Sequence, residues 1–146
     1  MAGSGFIFQT TAKNVGGPGG VSFLADGSFS ARVAHPIEMG GEGDGNNPGQ
    51  FLALGYSTSF NFTLARILKE QGITGEPIVA STIELHPDPS DNGFKLAVKI
   101  ELAIQGLEKE EVQLLADKAH LLCPYSKAMK NNIEVTLTAV SYVAMA

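Results

Sequence analysis

The run NPGQFLALGYSTSFNFTLARILKEQG, residues 47–72, sets the terms on which the rest of this chain can fold. No charged residue lies between Asp44 and Arg66. Phe51, Leu52, Leu54, Tyr56, Phe60, Phe62, Leu64, Ile67 and Leu68 leave its first four turns without a polar face. A helix that is apolar all round has to be buried all round. Its ends are well marked: Asn47 can cap the first amides, Pro48 suits the first helical position because its missing N–H has no partner there, and Gly72 supplies a left-handed stop. A membrane span of roughly 20 apolar residues is the competing reading. Gln50, Ser57, Thr58, Ser59, Asn61 and Thr63 speak against it, as does the lack of a basic flank. The expectation is therefore a core helix. A chain this long buries only about two-thirds of its unfolded surface, which leaves a monomer little with which to wrap one long helix. A second subunit is expected to supply the missing wall.

The chain reads as a single domain over residues 1–146, with a hydrophobic content of 44% that supports one core. Its formal charge of −5 disfavours nucleic acid or an anionic membrane as a partner, since both recruit proteins through a basic footprint. The opening MAGSGFIFQT has neither a basic n-region nor an apolar stretch before a cleavage site, so a cytoplasmic location is expected. Cys123 is the only cysteine. No disulfide can form within one chain, which fits a reducing compartment and excludes a two-cysteine cycle inside a single chain.

Alternation of Phe6, Phe8, Thr10 and Ala12 with Ile7, Gln9 and Thr11 predicts a first strand, ended by the turn-rich residues 14–20. Val21 to Leu24 and Phe29 to Val33 flank Asp26-Gly27, a hairpin turn pair, so the chain opens with an antiparallel meander. His35-Pro36 ends it, and the glycine-rich residues 40–46 lead into the long helix. Pro77 opens a strand from Ile78 to Leu85, closed by His86-Pro87-Asp88-Pro89 and turned back by Asp91-Asn92-Gly93. Next, Phe94, Leu96, Val98, Ile100, Leu102 and Ile104 alternate with Lys95, Lys99, Glu101 and Gln105, a strand with one core face and one wet face. After Gly106, a helix from about Glu108 to Leu122 carries the stripe Val112, Leu115, Ala116, Ala119 and Leu122. Pro124 stops it, a short turn follows, and Ile133, Val135, Leu137 and Ala139 make a last strand. The order β-β-β-α-β-β-α-β has hairpins in place of alternating βα units. The predicted class is α+β, with antiparallel sheets wrapped around a long buried central helix.

Several chemistries are disfavoured. The glycines of residues 40–45 lack a following Lys-Ser/Thr, and Glu42 and Asp44 would repel phosphate, so a phosphate loop is not expected. The same acids do not match the spacing of a calcium loop. His35 and His86 each precede a proline and His120 stands alone on a helix, so no metal set forms and no cofactor is called for. Gly55-Tyr56-Ser57-Thr58-Ser59 lacks the second glycine of a nucleophile elbow and lies within a helix. Its hydroxyls are expected to bond back to carbonyls one turn earlier. Cys123 falls at a helix C-terminus, where the dipole disfavours a thiolate, and His120, one turn back, is its possible activator. Read from the residues alone, Cys123 is a buried core cysteine.

Asn47-Pro48-x-Gln50-Phe51 continuing to Gly55-Tyr56, and Ala119-His120-x-x-Cys123-Pro124-Tyr125-Ser126-x-Ala128 followed by Asn132-Ile133-x-Val135, resemble the two signature regions of the OsmC/Ohr family. The similarity takes in Gly16-Gly17, Asp26-Gly27, the glycine-rich loop and the long alternating strand. The resemblance implies an intertwined homodimer with two buried central helices, of the organic hydroperoxide resistance, oxidative-stress type. It also implies a peroxidatic and a resolving cysteine, a hydroperoxide substrate and a thiol reductant. In the resembled enzymes the peroxidatic cysteine lies on the central helix, held as thiolate by an arginine from the N-terminal glycine turn and a glutamate at the helix start. Here those positions fall on Ser59, Pro18 and Gly49. Only the resolving position, Cys123, is kept.

A serine hydroxyl is a much poorer nucleophile than a thiolate and forms no sulfenic acid, so the first step of that cycle has no agent. One expectation is a catalytically lapsed member that retains a pocket for a small apolar ligand or a partner. A second is a one-cysteine redox protein in which Cys123 reacts and is regenerated by an external thiol. A third is a scavenging peroxidase with a different catalytic arrangement.

Overall fold

The computed structural model describes residues 5–146. The chain divides into two compact units, Met1–Pro48 and Gly49–Ala146.

In the first unit, β1 (Ala12–Val15), β2 (Val21–Leu24) and β3 (Ser30–Arg32) form an antiparallel meander in that order. The hairpin at Asp26-Gly27 forms as predicted, with Ser28 N–H and Oγ both donating to the Asp26 carboxylate at 2.9 and 2.6 Å. The first strand is shorter than the alternation predicts. Phe6, Ile7 and Phe8 lie outside it and are exposed. The physical reason is the length of its partner: β2 ends at Leu24, paired with Ala12, and the chain then turns away. Residues 40–46 fold back along β3, where Asn46 N–H donates to the Arg32 carbonyl at 2.9 Å and Arg32 pairs with Asp44 at 3.1 Å.

The second unit is built on α1, Pro48–Glu70, whose bounds match the predicted helix, with Gly72 at φ 71° as its stop. The expectation of burial all round is not met within the chain. Tyr56, Phe60, Leu64, Ile67 and Leu68 are buried, whereas Leu54 is 62% and Phe62 73% exposed. One side of α1 packs on Val98, Ile100, Leu102 and Ile104 of β5 and on Val112, Leu115, Ala116 and Ala119 of α2, whereas Leu54 and Phe62 on the other stay exposed among the described residues.

β4 (Pro77–Asp88) and β5 (Gly93–Ile104) form a long antiparallel hairpin, turned by Asn92 at φ 58°. β4 runs on through His86, Pro87 and Asp88, past the predicted end. Pro87 is tolerated because β4 is an edge strand, so its missing N–H breaks no second ladder. β6 (Glu134–Ala139) pairs with β5 in parallel, so the second sheet, ordered β4-β5-β6, is mixed. A helical crossover makes that direction possible. It consists of α2 (Lys109–Leu122) and α3 (Pro124–Met129). Pro124 both ends α2 and, as the first residue of α3, begins a helix where only a turn was predicted. A short α4 (Tyr142–Met145) follows β6, and Tyr142 donates a hydrogen bond to Glu76. The observed order is thus β-β-β-α-β-β-α-α-β-α.

Candidate functional site where three helices meet

Ser59 lies on α1 one turn after Tyr56, so both side chains point to the same side of the helix. Cys123 closes α2 and caps α3 with an extended backbone at φ −62°, ψ 125°. The two meet: Ser59 Oγ and Cys123 Sγ share a hydrogen bond at 3.6 Å, and Cys123 is 0% exposed. Ser57 and Thr58 behave as predicted for helical hydroxyls, donating to the Leu54 carbonyl at 3.1 and 2.7 Å. Ser59 differs because the helix turns it inward, toward sulfur.

His120 sits in the last turn of α2, but its hydrogen bond does not go to Cys123. Its Nδ1 is 2.8 Å from Ser126 Oγ, and that hydroxyl also lies 2.7 Å from the Tyr56 hydroxyl. Tyr56 and Ser126 are buried. Burial pushes the Tyr56 phenol above its usual value of 10.0, against a smaller lowering by the Ser126 hydrogen bond. The Tyr125 ring lies 5.7 Å from that of Tyr56, and its hydroxyl would be 2.8 Å from a Cβ built on Gly55. Glycine at 55 is therefore set by the approach of Tyr125.

Of the residues singled out in the sequence, Ser59, Cys123 and His120 gather here. Gly49 stands in the first turn of α1, ten residues before Ser59. Pro18 is in the other unit, exposed in the turn between β1 and β2, where Gly19 N–H donates to the Val33 carbonyl at 2.7 Å. The sequence motifs do not by themselves join Tyr56 to Ser126. The available signal was spacing: Tyr56 is one turn before Ser59, and Ser126 one turn after Cys123.

On another side of α1, Ser57, Thr58, Asn61, Phe62, Ala65 and Val79 line an open groove of about 350 Å³. The Asn61 amide donates to the Pro77 carbonyl at 3.3 Å, while its Oδ1 is buried without a hydrogen-bond partner. Among the described residues no His/Cys/Asp/Glu group could hold a metal ion, and no helix is long and apolar enough to cross a membrane.

Comparison with known proteins places this architecture. The model of the family described as OsmC-like protein matches residues 41–138. Organic hydroperoxide resistance protein-like 2 of Staphylococcus epidermidis is 41% identical over 133 residues, 90% of this chain and 94% of that protein. The crystal structure of an organic hydroperoxide resistance protein from Legionella pneumophila superposes with a TM-score of 0.87 at 35% identity, covering 92% of this chain and 98% of that one. The organic hydroperoxide resistance protein OhrB of Bacillus subtilis gives 0.83 at 32% identity, covering 92% and 100%. With motifs, fold and relatives in agreement, the chain belongs to the OsmC/Ohr family.

Proposed function

We propose that this chain is an OsmC/Ohr scaffold whose two-cysteine peroxidase cycle is disabled at its first step, and which retains an apolar site for a small ligand. The observation that carries the reading is the 3.6 Å approach of Ser59 Oγ to Cys123 Sγ. Two positions that would exchange a disulfide if both were cysteine face each other, and one carries a hydroxyl. A peroxide can oxidise a thiolate at position 59 to a sulfenic acid, but serine offers no such species. Pro18 and Gly49 offer neither the charge nor the hydrogen bonds ascribed to the arginine and glutamate of the resembled enzymes.

The alternative, in which Cys123 alone turns over with an external thiol, is less well supported. Cys123 is fully buried, and His120, its possible activator, is bonded to Ser126. A second copy of the chain belongs to the reading. Leu54, Phe62 and the apolar Phe6, Ile7 and Phe8 present surface that a homodimer would cover, and the groove beside Asn61 lacks one wall. Positions 49 and 59 are separated by about 15 Å at 1.5 Å per residue, beyond direct side-chain contact. A site joining them would draw on both subunits.

The test is consumption of an organic hydroperoxide with a dithiol reductant. Wild type should show no more turnover than Cys123→Ser. Turnover that Cys123→Ser removes would favour the one-cysteine reading instead.

A further inference from the structure

We propose that Tyr56, Ser126 and His120 are positioning residues, a clamp across three helices that holds Cys123 against position 59. The inference deepens the function proposed above and rests on its pairing of positions 59 and 123. One hydroxyl, Ser126 Oγ, meets Tyr56 from α1 at 2.7 Å and His120 from α2 at 2.8 Å, while Ser126 itself is on α3. Each of the three lies one turn from a member of the pair: Tyr56 from Ser59, and His120 and Ser126 from Cys123 on either side. Cys123 is tied along its own backbone, its N–H donating to the Ala119 carbonyl at 2.8 Å and its carbonyl accepting from Lys127 N–H at 2.9 Å. Those bonds fix it to α2 and α3. The Tyr56–Ser126 bond crosses to α1 and so sets the spacing from the helix that carries residue 59.

Ser126 has one proton to give, so the chain of bonds has a direction. With a neutral imidazole protonated on Nε2, Tyr56 donates to Ser126 and Ser126 donates to His120. With Nδ1 protonated, the order reverses and both bonds survive. Removing the Ser126 hydroxyl leaves the buried Tyr56 hydroxyl without its partner, a cost relieved only by displacement of the ring.

The experiment uses Ser59→Cys as the parent and titrates its pair of thiols against oxidised and reduced glutathione. The two thiols give up two protons and two electrons. A sulfur–sulfur bond forms between positions 59 and 123, while the bond in oxidised glutathione breaks to give two reduced glutathione molecules. The midpoint reports the effective concentration of one thiol at the other. Ser126→Ala in this parent should lower it about tenfold and Tyr56→Phe about threefold, matching the loss of two hydrogen bonds and one. His120→Ala should lower it too, and His120→Asn, which keeps an amide group near the place of Nδ1, should recover most of that loss. Ile100→Val, a core change outside the clamp, should leave it within twofold while lowering the urea midpoint. The proposal is overturned if Ser126→Ala and Tyr56→Phe leave the effective concentration within twofold, or if Ile100→Val lowers it as much as they do. If Ser59→Cys forms no disulfide at any glutathione ratio, the pairing of positions 59 and 123 fails, and the clamp with it.

Discussion

On α1, Phe60 is fully buried, and Phe62, two residues further on, is 73% exposed. The same contrast separates Tyr56 from Leu54. Both sides of the helix carry large apolar side chains, yet one is completed by β5 and α2 of the same chain while Leu54 and Phe62 on the other are exposed among the described residues. Hydrophobicity dictates that a side chain must be covered. It does not say which molecule covers it. The completed side also holds the polar cluster of Tyr56, Ser59, Cys123, Ser126 and His120, in which Tyr56, Cys123 and Ser126 are buried within one chain.

That contrast is broken most severely by a charge on the closed side. Phe60→Asp should abolish soluble folded protein, since it buries an unpaired carboxylate where no partner exists. The readout is expression and the far-ultraviolet circular dichroism signal, and normal yield and spectrum would remove α1 from the core. The same change on the open side should act on assembly. Wild type should be a dimer by light scattering at micromolar concentration, and Phe62→Asp should shift it toward monomer without abolishing helical signal. A monomeric wild type would mean that solvent is the natural neighbour of Leu54 and Phe62.

A smaller effect is expected at Gly55, where glycine costs helix stability but makes room for Tyr125. Alanine there should gain up to about 1 kcal/mol of helix propensity and lose about 1 to 3 kcal/mol by crowding the ring. The crowding term wins, because Tyr125 is only 38% exposed and its ring packs on Tyr56. In a Tyr125→Ala background the sign should reverse, and Gly55→Ala should stabilise. Urea midpoints of the four proteins decide it.

The smallest effect concerns pH. Burial raises the Tyr56 phenol above 10.0 in the folded chain. Its neutral form therefore supports folding fully below the unfolded value of about 10, and that support is lost as pH rises through the raised folded value. Stability should fall more steeply above about pH 10 in wild type than in Tyr56→Phe. Parallel pH curves would show that the phenol ionises alike in both states.

Local signals survived translation from sequence to structure. Pro48 and Gly72 bound the long helix because a missing N–H and a left-handed residue act through the nearest turn alone. The alternation from Phe94 to Ile104 marks β5 because Val98, Ile100, Leu102 and Ile104 are buried within one chain, although Phe94 at its start is exposed. The errors arose where a partner at a distance decides. Phe6 to Ala12 alternates like a strand, yet β2 is too short to pair with it. The direction of β6 depends on its crossover and not on its own residues. At the site, the family resemblance marks Ser59 and Cys123, and helical spacing marks His120, but the bonds of Ser126 to Tyr56 and His120 depend on how three helices converge. Nothing in the sequence spacing assigned His120 to Ser126 and not to Cys123.

The central claim is that the site lacks its activating groups as well as its nucleophile. The direct measurement is steady-state consumption of an organic hydroperoxide with a dithiol reductant by wild type, by Ser59→Cys and by Ser59→Cys combined with Pro18→Arg and Gly49→Glu. Wild type should be inactive. Ser59→Cys should be poor, because burial disfavours the thiolate of the new cysteine. The triple variant should exceed it well beyond any additive effect, since groups that act as one catalytic unit do not contribute independently. Equal rates for Ser59→Cys and the triple variant, or rapid turnover by wild type, would contradict the account.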